Sequence, residues 1–259
     1  MDTRSEETRL AINCAVDMIK NSGNTTVLTG AGISTPSGIP DFRSSTDGLW
    51  SRYDPFEVAS LTAFRHKPQN FFEWMRPLAN KMYQAQPNAA HIGLARLERA
   101  GYVSTIITQN IDMLHKKAGS VNVLEVHGSM NSMSCTQCFQ QVDSSPFIES
   151  YLEYGQIPCC PQCEGILKPD IILMEEQLPA RTWLKAVEAS RSCDTMIVIG
   201  SSLEVVPVAN LPMQAVDHGA NLIIINKSHT YIDLRADIVF HEDLIDVVPT
   251  IVDRILTNN

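Results

Sequence analysis

Thr25-Thr26-Val27-Leu28-Thr29-Gly30-Ala31-Gly32-Ile33-Ser34 is the stretch that decides the fold. Five residues dominated by β-branched side chains run straight into a glycine corner, which predicts a short buried strand ending in a tight turn. Backbone N–H groups in such a turn can cradle a pyrophosphate. A full dinucleotide fingerprint asks for another glycine at position 35, where this chain has Thr35. A plain tight turn is therefore the competing reading, and a dehydrogenase would also need an acidic residue for the ribose.

The pattern repeats outward from that corner. Val103 to Thr108 is β-like and ends at Gln109-Asn110. Val121 to Val126 ends at His127-Gly128, Thr195 to Ile199 at Gly200-Ser201-Ser202, and Asn221 to Ile225 at Asn226. Further strands are expected near 171–173 and 237–240. Leu10, Ala11, Cys14, Ala15, Met18 and Ile19 recur at helical spacing, and Gly23 can end that first helix. Helices are also expected at 68–84, at 88–100 (closed by Gly101), at 180–191, after Pro207 and at 243–256. Residues 31–66, rich in Gly, Pro, Ser and Asp, read as a long loop with short helical turns. Continuous apolar strands separated by helices predict an α/β fold with a parallel sheet covered on both faces. Polar and glycine motifs at strand C-terminal ends mark the edge where such sheets bind ligands.

The chain has 259 residues, 44% of them hydrophobic, enough for a sizeable core and too many for wholesale disorder. With 20 Lys+Arg against 29 Asp+Glu, the net charge of −9 argues against direct nucleic-acid binding and favours a lysine-rich partner. No apolar run approaches the roughly 18 residues of a membrane span, and the polar start lacks a signal-peptide stretch. A cytoplasmic, membrane-free protein is expected. Its seven cysteines are odd in number, which fits poorly with a secreted disulfide framework. Five of them fall within 135–163. Cys135-x-x-Cys138 and Cys160-x-x-Cys163, separated by residues 139–159, come close to the roughly 15–20-residue spacing of a four-cysteine zinc ribbon. Four thiolates close a tetrahedron and leave no open position, so the expected zinc is structural. Cys159 is an alternative to Cys160, because a three-residue gap to Cys163 is also permitted. Cys14 and Cys193 read as core or incidental.

Taken in order, these motifs resemble the sirtuin family over nearly the whole chain. The matching stretches are Gly30-Ala31-Gly32-Ile33-Ser34, Gly38-Ile39-Pro40-Asp41-Phe42-Arg43, Thr108-Gln109-Asn110-Ile111-Asp112, His127-Gly128, the two cysteine pairs, Gly200-Ser201-Ser202-Leu203 and Ile225-Asn226. The resemblance implies a Rossmann-like domain at 1–128 and 168–259 and an inserted zinc-binding small domain at 129–167. A second helical part of the small domain is expected within 45–85. It also implies that NAD is consumed as a co-substrate and that acyl groups are removed from lysines of protein substrates.

By the same resemblance His127 is the base, with Asn110 and Asp112 completing the catalytic set and holding the nicotinamide amide and a water. A helix cap is the structural alternative for Asn110 and Asp112. Gly30, Ala31, Gly32, Ser34, Asp41, Phe42, Arg43, Gln109, Ile111, Gly200, Ser201, Ser202, Asn226, Asp243 and Leu244 are implied on the cofactor side. Phe42 matches the family's mobile aromatic. Met75, Leu78, Ile172, Met174, Glu204 and Val205 are implied on the substrate side. Some sirtuins that prefer acidic acyl chains carry Tyr and, three residues on, Arg. Here those positions hold Met75 and Leu78, with Arg76 one step away. One segment departs from the pattern: the family's Pro-Asp-Ile-Val-Phe-Phe-Gly-Glu reads Pro169-Asp170-Ile171-Ile172-Leu173-Met174-Glu175-Glu176, with Glu175 at the glycine. An ADP-ribosyltransferase, an NAD hydrolase and a catalytically silent zinc-ribbon interaction module are the other functions compatible with these motifs.

Overall fold

A computed structural model describes residues 3–41 and 53–257. Helix α1 (Thr3–Asn21) leads into β1 (Thr25–Thr29) and a 3₁₀ turn at Ala31–Ser37. Short helices α2 (Pro55–Val58) and α3 (Leu61–His66) precede α4 (Pro68–Gln84) and α5 (Ala89–Arg99). Next come β2 (Thr105–Thr108), α6 (Leu114–Lys117), β3 (Val123–Glu125), β4 (Gly128–Cys135), β5 (Gln141–Asp143), α7 (Ser145–Tyr154) and β6 (Leu167–Ile171). The chain closes with α8 (Ala180–Ser192), β7 (Thr195–Ile199), α9 (Leu211–Asp217), β8 (Asn221–Ile225), β9 (Ile238–Phe240) and α10 (Leu244–Thr257). No helix among the described residues is long and apolar enough to cross a membrane.

Six strands form a parallel sheet in the order β3-β2-β1-β7-β8-β9. The order reverses between β1 and β7, which makes that junction the topological switch point of a Rossmann-like sheet. Side chains alternate across it with period two. Val27, Ile106, Ile197, Ile199, Ile223 and Ile225 join one core with α1, α5 and α10. Leu28, Ile107, Met196, Val198, Leu222 and Ile224 face the other, with α8 and α9. A third cluster gathers α3, α4 and α7 around Phe64, Phe71, Phe72 and Tyr151. The three-stranded antiparallel sheet β5-β4-β6 carries the cysteines.

Two elements differ from the sequence reading. The strand expected near 171–173 lies earlier, at Leu167–Ile171, and pairs antiparallel with β4. Its alternating burial hides behind Lys168, Pro169 and Asp170, so only its apolar tail looked strand-like. The sequence boundary at 167/168 consequently falls inside β6. On α1 the buried face is Ile12, Ala15, Val16 and Ile19, packed toward α10, while Leu10 and Cys14 are exposed. The helix is rotated relative to the assigned stripe.

Two buried histidines sit beneath the edge of β1 and β2. His91 of α5 and His115 of α6 meet edge to face, with ring centroids 4.9 Å apart. Thr29 Oγ1 donates to Thr108 Oγ1 (2.9 Å), so it accepts from His115 Nε2 at 2.9 Å. Neither His91 nitrogen has a hydrogen-bond partner among the described residues. Burial pushes His91 down to about 4. Burial, reinforced by the neighbouring His91, pushes His115 down to about 3. Both rings are neutral in the fold but take protons once unfolded. Their lowered values mean that stability is complete above about pH 6.5 and is lost as pH falls from there toward 4. The slope is at most about 1.4 kcal/mol per pH unit for each ring. Urea unfolding midpoints at pH 7.5 and pH 5 should therefore differ clearly, and His91→Leu should shrink the difference. An unchanged pH slope in that variant would show that His91 is not held neutral.

Candidate active site

Strands β2, β1, β7 and β8 end level with one another, because Thr108, Thr29, Ile199 and Ile225 are register partners across the sheet. The ladder continues one step past them: Gln109 N–H donates to Thr29 O, Gly30 to Ile199 O, Gly200 to Ile225 O and Asn226 to Phe240 O. The glycine and amide motifs of four separate segments thus fall on one edge. At the switch point the backbones touch. Gly32 N–H donates to Gly200 O at 2.9 Å. A Cβ on Gly30 or Gly32 would lie 2.7 or 2.8 Å from that same carbonyl oxygen. Gly200 has φ 61°, and a Cβ there would strike the Gly32–Ile33 peptide. Only glycine permits this crossing.

The crossing sets the 3₁₀ turn, and the turn sets the polar groups. Buried Ser34 Oγ donates to Asp112 Oδ2 at 2.6 Å and accepts from Asn110 Nδ2 at 3.2 Å. Asn110 Nδ2 also donates to Gly30 O at 3.0 Å. Asp112 Oδ1 accepts from Leu114 N–H at 2.9 Å, the first N–H of α6, although the N-cap position itself is Met113. Burial pushes the Asp112 carboxyl up, while the Ser34 and Leu114 hydrogen bonds and Lys117 pull it down. The net direction is upward.

Gln109 links the crossing to the histidine. Its side-chain Nε2 donates to Ser201 Oγ at 2.9 Å, and its carbonyl lies 3.0 Å from His127 Nδ1. A carbonyl only accepts, so Nδ1 carries the hydrogen of the neutral ring and Nε2 carries the lone pair. His127 O accepts from Ile172 N–H at 2.8 Å, which ties the ring's backbone to the 172–176 segment.

A cavity of about 680 Å³ opens in front of these groups. Ala31, Ser34, Gln109, Asn110, Ile111, Asp112 and His127 line it, as do Met75, Ile172, Met174 and Val205. Leu78 is absent from its wall: it is only 4% exposed and packs in the third core. Glu204 is exposed and also lies off the wall. Gly30, Gly32, Gly200, Ser201 and Ser202 belong to the crossing, and half-buried Asp41 lies beyond Pro40 of the lining. Asn226 continues the strand edge, with Asp243 beyond it in an ion pair with Lys227 (2.9 Å). Leu244 is a core residue under α10 rather than a cavity residue. Phe42 and Arg43 lie outside the described residues. Trp74, Met82 and Trp183 line the cavity without having been singled out. Met82 stands two helical turns from Met75, a spacing that would have flagged it.

The Sir2 family model matches residues 30–207. The NAD-dependent protein deacylase 2 of Archaeoglobus fulgidus is 44% identical over 245 residues, covering 94% of this chain and 96% of that protein. The chain belongs to the Sir2 family. A solved Sir2 enzyme structure superimposes with a TM-score of 0.89 at 42% identity, covering 96% of this chain and 99% of that one. Another, holding a deacetylated peptide and 3′-O-acetyl ADP-ribose, matches with a TM-score of 0.86 at 35% identity and covers 96% and 98%.

The departure from the Sir2 pattern at Glu175, and the place of Arg76, now have physical accounts. Glu175, at the family's glycine, keeps the left-handed backbone with φ 73°. Its carboxylate accepts from Thr62 N–H at 2.9 Å, at the start of α3. Hydrogen bonding from the Thr62 side chain, and then from its N–H, holds the Glu175 carboxyl below its ordinary value. The neighbouring backbone is pinned as well, by Met174 N–H to Ala59 O and Leu61 N–H to Met174 O. Arg76, one step from Met75, donates to Leu152 O (3.0 Å) and Glu153 O (2.7 Å) at the end of α7. It satisfies carbonyls that the helix leaves open and is not among the residues lining the cavity.

The four cysteines of this Sir2 protein converge. The Sγ atoms of Cys135, Cys138, Cys160 and Cys163 all lie within 4.8 Å of one another, with Cys135–Cys163 at 3.4 Å and Cys138–Cys160 at 3.7 Å. Tetrahedral Zn–S bonds of about 2.3 Å put sulfurs roughly 3.8 Å apart, so the set fits zinc. The two knuckles share one geometry. Phe139 N–H donates to Cys135 O and Glu164 N–H to Cys160 O, and both donors have positive φ. Backbone N–H groups of Cys138 and Gln137 aimed at Cys135 Sγ pull that thiol toward the thiolate a ligand must be. Cys159 is exposed and outside the group, its thiol directed at Ile157 O. Zinc analysis should give one tightly held ion in wild type and in Cys159→Ser, and loss of that ion with unfolding of the three-stranded sheet in Cys160→Ser. The reverse pattern would overturn this ligand set.

Proposed function

We propose that this chain removes acetyl and other uncharged acyl groups from protein lysines, with NAD consumed as co-substrate. The observation that carries the reading is the convergence of His127, Asn110 and Asp112 on one cavity beside the glycine crossing. Small residues at the crossing let backbone N–H groups approach the pyrophosphate closely, Gln109 and Asn226 meet the riboses, and Asn110 and Asp112 face the nicotinamide amide. Nicotinamide leaves as a neutral molecule when its bond to the anomeric carbon breaks, so no acid is needed. The acyl-lysine carbonyl oxygen takes its place on that carbon. His127 Nε2 then accepts a ribose hydroxyl proton, and the freed oxygen attacks the former carbonyl carbon. Uptake of one water and departure of the lysine amine give O-acyl-ADP-ribose.

The reading assigns the metal-bearing sheet, through β6, and the α2–α4 and α7 helices to the substrate side, and the six-stranded sheet to NAD. Reduced thiols at the metal centre fit a cytoplasmic setting, and the acidic chain fits lysine-bearing protein substrates rather than nucleic acid. The acyl end meets Met75, Met82 and Trp74, with Glu175 and Glu176 also on the wall and, among the described residues, no Lys or Arg lining it. An unpaired buried carboxylate costs several kcal/mol.

Mass analysis of products from NAD and one peptide bearing acetyl, butyryl, myristoyl or succinyl lysine tests the proposal. O-acyl-ADP-ribose should form from the uncharged acyl groups, with kcat/KM for succinyl at least about 100-fold below acetyl. His127→Ala should lower turnover by about 10²–10⁴-fold while NAD binding persists. Free ADP-ribose or ADP-ribosylated protein as the sole product would replace this reading with NAD hydrolysis or ADP-ribosyl transfer.

A further inference from the structure

We propose that His229, Asp233 and His241 form a second metal site, separate from the four-cysteine centre, that takes a divalent transition ion of borderline softness such as Zn²⁺ or Co²⁺. The three donor atoms lie within 4.8 Å of one another. His229 Nδ1 is 3.1 Å from Asp233 Oδ2, and His241 Nε2 is 3.9 Å from the same oxygen. Ligands on a tetrahedral ion with bonds of about 2.0–2.1 Å stand roughly 3.3 Å apart, so small side-chain rotations suffice. Two imidazoles and one carboxylate suit zinc, cobalt, nickel or copper rather than magnesium or calcium.

The supporting contacts orient the donors as a metal site requires. His241 Nδ1 lies 2.8 Å from Asn226 O, which only accepts, so Nδ1 carries the hydrogen and Nε2 offers its lone pair toward Asp233. Thr230 N–H and Oγ1 both donate to Asp233 Oδ1, at 3.1 and 2.5 Å, which leaves Oδ2 facing the two rings. The rings already meet edge to face, with centroids 4.4 Å apart. Lys227, next to Asn226, is engaged by Asp243 at 2.9 Å, and Arg235 by Asp217 at 3.2 Å. The His229 side chain is 87% exposed, so an ion can enter from solvent and keep water on its outer positions. The site joins the loop after β8 to the end of β9 and rests on the carbonyl of Asn226, away from the cysteines and from the acyl end of the cavity.

Titration of the zinc-loaded protein with Co²⁺, followed by visible absorption and by metal content per chain, tests this site. Wild type should bind one further ion with the weak d–d bands of nitrogen and oxygen ligands and without thiolate charge transfer. His229→Ala, His241→Ala and Asp233→Asn should each weaken that binding by at least about tenfold, with the four-cysteine zinc and thermal unfolding unchanged. His229→Ala, at an exposed position, keeps the test independent of folding. A wild-type chain that takes up no second ion, or a second ion bound equally well by all three variants, would overturn the site.

Discussion

The contact of two bare backbones, Gly30-Ala31-Gly32 against Gly200, is the constraint on which the rest of the molecule depends. It sits where the parallel sheet reverses its strand order, so two strand ends diverge there and leave a crevice. The hydrogen bond from Gly32 to Gly200 O closes the approach, and any side chain at the crossing would force it open. The 3₁₀ turn that follows carries Ser34 inward, and Ser34 in turn holds Asn110 and Asp112. Gln109 runs from the other side of the crossing to His127. The positions of the polar groups are thus consequences of backbone packing rather than of loop chemistry.

A second set of constraints ties the cleft's two walls together. Segment 172–176 bonds to His127 at one end and to Ala59 and Leu61 in between, while Glu175 caps α3. The side chain that replaces a glycine there contributes a hydrogen bond that glycine would not. The loop keeps its path through a side-chain anchor instead of through conformational freedom alone. The same principle recurs at Arg76, whose guanidinium closes α7 against α4, while Met75, Met82 and Trp74 of α4 line the cavity.

How much of this was legible in the sequence follows from how local each signal is. Strands β1, β7 and β8 are short runs of β-branched and apolar residues with a glycine or amide motif directly after each, so both their type and their ends could be read. The cysteine knuckles are local as well: the matched Cys-x-x-Cys spacing already favoured Cys160 over Cys159, and Cys160 is the one that joins the group. Strand β6 was displaced because Lys168 and Asp170 sit on the half-buried face of a small sheet whose partner lies far away in the chain. Leu78 and Met82 lie one turn apart on α4 and share one core, yet Met82 lines the cavity and Leu78 does not, a difference that no spacing along the helix encodes. The pairing of His91 with His115, and the grouping of His229 and Asp233 with His241, join residues on different elements and leave no pattern in a single chain to find.

A crystal structure with ADP-ribose bound tests most directly whether the glycine crossing is the seat of the dinucleotide. The pyrophosphate should lie over the backbone N–H groups that follow Gly30 and Gly200, with the free ribose end turned toward His127 and the adenosine end running toward Asn226. ADP-ribose bound elsewhere on the molecule, with the crossing making no contact to phosphate, would contradict the account.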